Sequence, residues 1–122
     1  MRFWTVEEAT AALPEVRAQV TRLRELIEAA RSKAGGNGGQ PSGNGHGSTS
    51  SGSNEAQSIL ANLTDQGIIV RDPERGLIDF PARAPSGRTY LLCWVEGEAS
   101  IVWWHWQEDG FAGRTPLNEP PH

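Results

Sequence analysis

The chain has 122 residues and a net charge of −4, from 15 acidic and 11 basic side chains. This length suits one small domain, and the mildly acidic balance lacks the basic face that nucleic-acid binding requires. Cys93 is the single cysteine, which excludes an internal disulfide and favours a cytoplasmic location. No apolar run approaches the roughly 18 residues of a membrane-spanning helix. We therefore expect neither nucleic acid nor a membrane among the partners.

The N-terminal segment, residues 1–33, predicts helices. Thr5 and Glu8 have the spacing of a capping box, which satisfies two free amides at a helix start. Because Pro14 disfavours helical geometry in the preceding residue, the pattern predicts a short helix over 6–12, a bend, and a long helix to about Lys33. The long helix carries an apolar stripe at steps of three and four: Val16, Val20, Leu23, Ile27 and Ala30.

A Gly/Ser-rich segment follows, residues 34–54. Residues 35–54 contain no apolar side chain that would offset the entropy of ordering them, so the segment is predicted to be a disordered linker that closes a helical hairpin. His46 lies within it and is interpreted as a solvated side chain rather than a metal ligand. A return helix is predicted over residues 55–66, and Gly67 suits its end.

From residue 67 the apolar pattern changes to that of strands, and residues 67–107 predict an antiparallel meander of about four strands. Pro81 indicates that the second strand, "LIDFPA", ends there or lies at an edge. Two long strands over 88–96 and 100–107 follow, and residues 108–122 are predicted to be an irregular tail. The predicted fold class is α+β, with the helical hairpin packed on one face of the sheet.

The stretch "YLLCWVEGEASIVWWHW", residues 90–106, predicts a tight hairpin that pairs Val95 with Ser100. In this register Cys93 and His105 point to opposite faces and cannot share a metal ion, so no metal site and no cofactor are predicted. A three-residue turn would shift the register and weaken that conclusion. Both faces of the hairpin are apolar, which predicts that the second face is covered by the tail, the other strands, a ligand or another copy of the chain. The first face holds Tyr90, Leu92, Trp94, Ile101, Trp103 and His105, and the second holds Leu91, Cys93, Val95, Val102, Trp104 and Trp106.

Asp79 and His105 are polar residues in apolar strands. A buried Asp79 needs a cation, for which Arg88 and Arg114 are candidates, or its pKa is raised. An Asp–His pair in an aromatic cleft could perform general acid–base catalysis, or it could simply tie a strand to the tail. The candidate ligand-binding residues are Tyr90, Trp94, Trp103, His105 and Arg114.

Three segments in this order, "FWTVEEATAALPEV", "GIIVRDPERGLIDFPA" and "YLLCWVEGEASIVWWHWQEDGFAGRTPL", resemble the prokaryotic family called domain of unknown function 2203. The resemblance covers most of the chain outside the Gly/Ser-rich segment, where relatives tend to continue a charged helix. It implies a helical hairpin plus a small sheet and implies no activity. The positions that match its signature segments are Asp79, Cys93, Trp94, His105, Gly113 and Arg114.

Three functional hypotheses follow from the sequence. The first is a non-catalytic interaction module that forms a homo-oligomer through the apolar hairpin face. The second is a small enzyme or a protein that binds a small anionic ligand, with Asp79, His105 and Arg114 in an aromatic pocket. The third is metal or haem binding through His105, with the tryptophans as an apolar shell.

Overall fold

The computed structural model describes residues 2–36 and 46–122. It has the predicted α+β architecture, with two helices and one antiparallel sheet whose five strands follow chain order, β1-β2-β3-β4-β5. The elements are α1 (Val6–Gly36), α2 (His46–Asp65), β1 (Ile69–Asp72), β2 (Leu77–Arg83), β3 (Thr89–Val95), β4 (Trp103–Trp106) and β5 (Thr115–Pro116). A 3₁₀ turn, Phe111–Gly113, lies between β4 and β5.

The predicted capping box at the start of α1 is confirmed. The Thr5 amide donates to Glu8 Oε1 over 3.1 Å, and the Glu8 amide donates to Thr5 Oγ1 over 3.0 Å. The predicted bend before Pro14 is wrong, because α1 continues through it as one helix. Leu13 and Val16 are buried on either side of the proline, and this packing outweighs the local preference of one residue. Thr10, whose carbonyl loses its helical partner at Pro14, lies on the exposed side.

The return helix is also longer than predicted, since α2 begins at His46 inside the segment assigned to the linker. Residues 37–45 of that predicted linker lie outside the described part of the chain. Leu63 anchors the C-terminal half of α2 in the core, and a helix that is already anchored gains a hydrogen bond with each further residue at no new nucleation cost. Gly67 ends α2 as predicted, with φ 84° and its amide donating to the Thr64 carbonyl.

Pro81 lies within β2, which continues to Arg83, so the predicted strand end at Pro81 is wrong. The Pro81 carbonyl accepts a hydrogen bond of 2.7 Å from the Trp4 amide, beyond the end of β1. In a strand the N–H and C=O of one residue point to the same side. The missing N–H of Pro81 therefore faces the Trp4 segment, beyond the end of β1, and no bond of the β2–β3 ladder is lost.

The β3–β4 register differs by one residue from the predicted one. Leu91 pairs with His105 and Cys93 pairs with Trp103, because residues 96–102 form a longer connection than a two-residue turn. Glu98 fixes this connection, since its Oε1 accepts from the Val95 amide and its carbonyl accepts from Trp94 Nε1, each over 3.0 Å. A shift of one residue moves every side chain of a strand to the opposite face. The predicted separation of Cys93 from His105 is therefore wrong.

The two faces of the sheet differ in what covers them. One face packs against α1 and forms the core with Ala9, Leu13, Val16, Val20, Ile78, Phe80, Leu92, Trp94 and Trp104. The other face carries Asp79, Cys93 and His105, all buried. The tail, predicted to be irregular, supplies the 3₁₀ turn and the fifth strand, which pairs Trp103 with Pro116.

No helix in the described ranges 2–36 and 46–122 is both long enough and apolar enough to cross a membrane.

We expect Gly76→Ala to destabilise the protein more than Gly87→Ala. Both glycines have positive φ, 73° and 94°, so both substitutions add backbone strain of about 1 kcal/mol. A Cβ on Gly76 would also lie 2.9 Å from the Glu96 Cβ and 3.1 Å from Val20 Cγ1, whereas a Cβ on Gly87 meets nothing within 4 Å. Overpacking should add about 1–3 kcal/mol at Gly76. Urea unfolding of both variants measures this difference, and equal losses would contradict the packing of α1 against the β1–β2 turn.

Candidate functional site

Asp79 and His105 meet on the face of the sheet that α1 does not cover. Asp79 is in β2 and His105 is in β4, two strands away, and their side chains are 1% and 2% exposed. His105 Nε2 lies 3.3 Å from Asp79 Oδ1. The Asp–His pair that the sequence suggested is therefore formed.

Cys93 lies between the two residues on β3, where it pairs with Asp79 on one side and with Trp103 on the other. Its small side chain leaves room for Asp79 and His105 to approach each other above it. The Cys93 Sγ, one oxygen of Asp79 and one ring nitrogen of His105 all lie within 4.8 Å of one another. Three adjacent strands thus bring a thiol, a carboxylate and an imidazole to one buried point.

Each of the two polar groups has a second partner on its far side. Arg71 Nε donates to Asp79 Oδ2 over 2.7 Å, so the cation beside Asp79 is Arg71 and not Arg88 or Arg114 as predicted. His105 Nδ1 lies 2.8 Å from the Trp106 carbonyl oxygen. A carbonyl only accepts, so Nδ1 carries the proton, and the Nε2 atom points to Asp79 and Cys93.

The charges of the cluster follow from these contacts. Burial alone would raise the pKa of Asp79, but hydrogen bonds from His105 and Arg71 outweigh it and lower that pKa. Burial likewise opposes charge on His105, yet its bonds to Asp79 and to the Trp106 carbonyl raise its pKa. Burial, with the Asp79 carboxylate nearby, raises the pKa of Cys93 to about 12. Both ring nitrogens of His105 face oxygens that only accept, so the contacts place an imidazolium beside the Asp79 carboxylate, next to a neutral Cys93 thiol.

The cluster forms the floor of a cleft of about 280 Å³. Arg71 and Leu77 line one part of it, and the turn that follows β4 lines the rest. That turn contributes Gln107, Glu108, Asp109, Gly110 and Phe111. A small molecule entering this cleft would reach Asp79, Cys93 and His105 together.

The residues predicted to bind a ligand are divided between the two faces. Tyr90 and Trp94 lie in the core beneath α1, away from His105. Arg114 forms an ion pair with Glu98 and stacks over the Trp103 ring, with 4.8 Å between its guanidinium carbon and the ring centroid. Trp103 and Arg114 thus help to cover the second face, and neither lines the cleft.

Sequence reasoning found Asp79 and His105 but missed Arg71, Cys93 as part of the cluster, and the cleft. Arg71 had no signal in the sequence, because a regular "PERG" turn with Asp72 opposite Leu77 would place Arg71 opposite Ile78, on the other face from Asp79. An irregularity in the β1–β2 pairing between Val70 and Asp72 brings Arg71 to the face of Asp79. Cys93 could not be assigned without the register of the β3–β4 pair.

The stability of the metal-free protein should depend on Asp79 in a defined pH window. Because the pKa of Asp79 is lowered, the ionised carboxylate stabilises the folded protein at pH values above 3.8, the ordinary pKa of this group. This stabilisation is lost as the pH falls through the lowered pKa. Because the pKa of His105 is raised, the imidazolium stabilises the folded protein at pH values below 6.5, the ordinary pKa of this group. This stabilisation is lost as the pH rises through the raised pKa. Between these limits Asp79→Asn should cost about 3–5 kcal/mol of unfolding free energy, because it leaves His105 without its buried counter-ion.

Urea unfolding across pH measures this cost, with Asp65→Asn in the exposed last turn of α2 as the control. A wild-type pH profile that Asp79→Asn leaves unchanged would contradict the ionised pair.

The comparisons with known proteins agree with the resemblance noted in the sequence. No curated protein and no solved structure gives a match. One family model matches residues 2–117, nearly the whole chain. The chain therefore belongs to the family described as an uncharacterized conserved protein, DUF2203.

Proposed function

We propose that this protein binds a divalent transition-metal ion through Asp79, Cys93 and His105. The observation that carries the proposal is the convergence of a thiol, a carboxylate and an imidazole within 4.8 Å at the floor of a cleft. It develops the third hypothesis from the sequence, metal binding through His105, by adding two ligands. Cysteine, histidine and aspartate are the ligand types that zinc sites use.

The orientation of the outer partners supports this assignment. Histidine ligands in metal sites usually donate their other ring N–H to a carbonyl or carboxylate, which fixes the tautomer. The 2.8 Å contact from His105 Nδ1 to the Trp106 carbonyl has this arrangement and leaves Nε2 for the ion. Arg71 holds Asp79 Oδ2 and leaves Oδ1 facing Nε2. Metal binding would thus keep both outer contacts.

The spacing of the ligand atoms also fits an ion. Ligands bound at about 2.0–2.3 Å in a tetrahedral zinc site lie roughly 3.3–3.8 Å apart. His105 Nε2 and Asp79 Oδ1 are already 3.3 Å apart, and the remaining atoms are within 4.8 Å. Small side-chain rotations suffice to bring the thiolate in.

The ligand set selects the class of metal. Thiolate and imidazole favour zinc and its borderline neighbours such as cobalt and nickel, whereas magnesium and calcium prefer oxygen ligands alone. Three protein ligands leave one tetrahedral position, which is the arrangement of zinc sites that act on bound water or substrate. The cleft above the cluster is where that position would open.

A nucleophilic cysteine is less well supported than a metal ligand. A catalytic thiol needs a lowered pKa, and burial beside Asp79 raises the pKa of Cys93 to about 12. His105 directs Nε2 to Asp79 and Nδ1 to a carbonyl, so the Asp79 carboxylate rather than the thiol is its hydrogen-bond partner.

The homo-oligomer hypothesis stays a prediction. The structure gives it less support than the sequence did, because little apolar surface of the hairpin is exposed. The apolar second face of the hairpin is largely covered within the chain, since Leu91 and Cys93 are each 1% exposed. In the described part of the chain the exposed large apolar residues are Val102 and Phe111. These two side chains offer little apolar surface for a stable interface.

We expect the wild-type protein to bind one Co²⁺ ion and to develop the absorption of a thiolate–cobalt bond. Removing a ligand should weaken this binding by about 100-fold or more, because loss of an outer partner alone costs 10–100-fold at such sites. The variants are Asp79→Asn, Cys93→Ala and His105→Gln, and titration followed by absorption and calorimetry gives the affinities.

The matched controls are Asp65→Asn and His122→Gln, which remove an exposed carboxylate and an exposed imidazole elsewhere. Both should bind Co²⁺ like the wild type. Weak cobalt binding that none of the three ligand substitutions affects, or a bound ion without thiolate absorption, would refute the proposal.

Proton release tests the same site in the unmodified protein. An ion bound by Cys93 and His105 must displace the thiol proton and the proton on Nε2. Because the pKa of each group is raised, about two protons should leave per ion at mildly acidic pH, falling toward one as His105 loses its proton at higher pH. Calorimetry in buffers of different ionisation enthalpy counts them, and release of no protons would exclude both ligands.

A further inference from the structure

Resting on the proposed function, we infer that the bound ion and Arg71 together form a binding site for a small monocarboxylate with an apolar substituent. The carboxylate would occupy the open metal position and bridge to the guanidinium. The apolar substituent would lie in the part of the cleft lined by Leu77 and Phe111.

Arg71 is placed to contact a ligand as well as Asp79. Its Nε is engaged by Asp79 Oδ2, and the side chain is 43% exposed and lines the cleft. No hydrogen bond from its two terminal nitrogens to another described residue is formed in the structure. These nitrogens form the side of the guanidinium that binds a carboxylate as a fork.

The charge balance favours a monoanion. A divalent ion with the Asp79 carboxylate and the Cys93 thiolate is neutral, so Arg71 leaves the floor of the cleft with one positive charge. At the rim Glu108 is paired with Arg88 over 3.0 Å, while Asp109 adds an exposed negative charge. One carboxylate neutralises the floor, whereas a phosphate dianion would add charge that Asp109 repels.

The shape of the cleft indicates the rest of the molecule. Its volume of about 280 Å³ is at the small end of ligand pockets. Phe111 is 41% exposed, although large apolar side chains are usually buried, and it stands at the cleft wall. An aromatic or short aliphatic substituent would cover this ring and recover the free energy of burying apolar surface.

The test uses benzoate as the probe, with benzamide as its neutral counterpart, added to the full chain loaded with Co²⁺. Benzoate should change the cobalt spectrum and bind at least about tenfold more tightly than benzamide, since a charge-assisted hydrogen bond contributes that much. Arg71→Met at saturating Co²⁺ should reduce this preference to the part that the ion alone supplies, and Arg71→Lys should restore part of the loss. Arg75→Met, which changes an exposed arginine outside the cleft lining, should leave the preference intact.

Phe111→Ala tests the apolar part of the cleft. It should weaken the binding of benzoate and leave the binding of acetate unchanged. If Co²⁺ binds with thiolate absorption but benzoate and benzamide behave alike, the carboxylate site is refuted and the metal site stands. Inorganic phosphate binding more tightly than benzoate would refute the monocarboxylate class. Absence of the cobalt–thiolate signal in the wild type would overturn both proposals.

Discussion

A carboxylate that is removed from water requires hydrogen-bond donors, and Asp79 imposes this requirement at the centre of the sheet. Arg71 supplies one donor from β1 and His105 supplies another from β4. The Asp79 carboxylate therefore joins β2 to both β1 and β4. The contact between β2 and β4 exists because Cys93 is small at the intervening position. The polar organisation of the second face therefore depends on one charge and one small residue.

The division between the faces allows this arrangement. The helical layer covers one face, and there Trp94, Phe80 and their neighbours supply the apolar burial that stabilises the domain. The second face is free of this task, and the tail covers part of it where Arg114, paired with Glu98, stacks over the Trp103 ring. A cleft can remain between the tail and the sheet at little cost, because the main core lies on the other side.

Local features of the fold were predictable, and features set by distant contacts were not. The Thr5–Glu8 cap and the end of α2 at Gly67 depend on a few neighbouring residues, and both were predicted correctly. The path of α1 through Pro14 depends on packing against the sheet, which no local rule contains. The β3–β4 register depends on residues 96–102, where Ile101 turns into the core and Glu98 binds the end of β3.

The candidate site shows the same dependence. Asp79 and His105 were recognisable from the sequence because each is a polar residue in an apolar strand. Their joint location with Cys93 required the register, since a shift of one residue moves Cys93 and His105 to the same face. Arg71 required the irregular pairing of β1 with β2, in which the register shifts between Val70 and Asp72. The sequence thus identified the two unusual polar residues, Asp79 and His105, but not Cys93 and Arg71, which lie beside them in the fold.

A buried ion pair is the simplest alternative to a metal site, and it explains part of the cluster. Such pairs contribute little net stability, because desolvation offsets most of their attraction. The pair of Asp79 with His105 would also function beneath a sealed surface, with any small residue at position 93. A thiol within 4.8 Å and a cleft above are not needed for a pair. Both are needed for an ion with three ligands and an open position, and this is why the metal explains more of the site than the pair does.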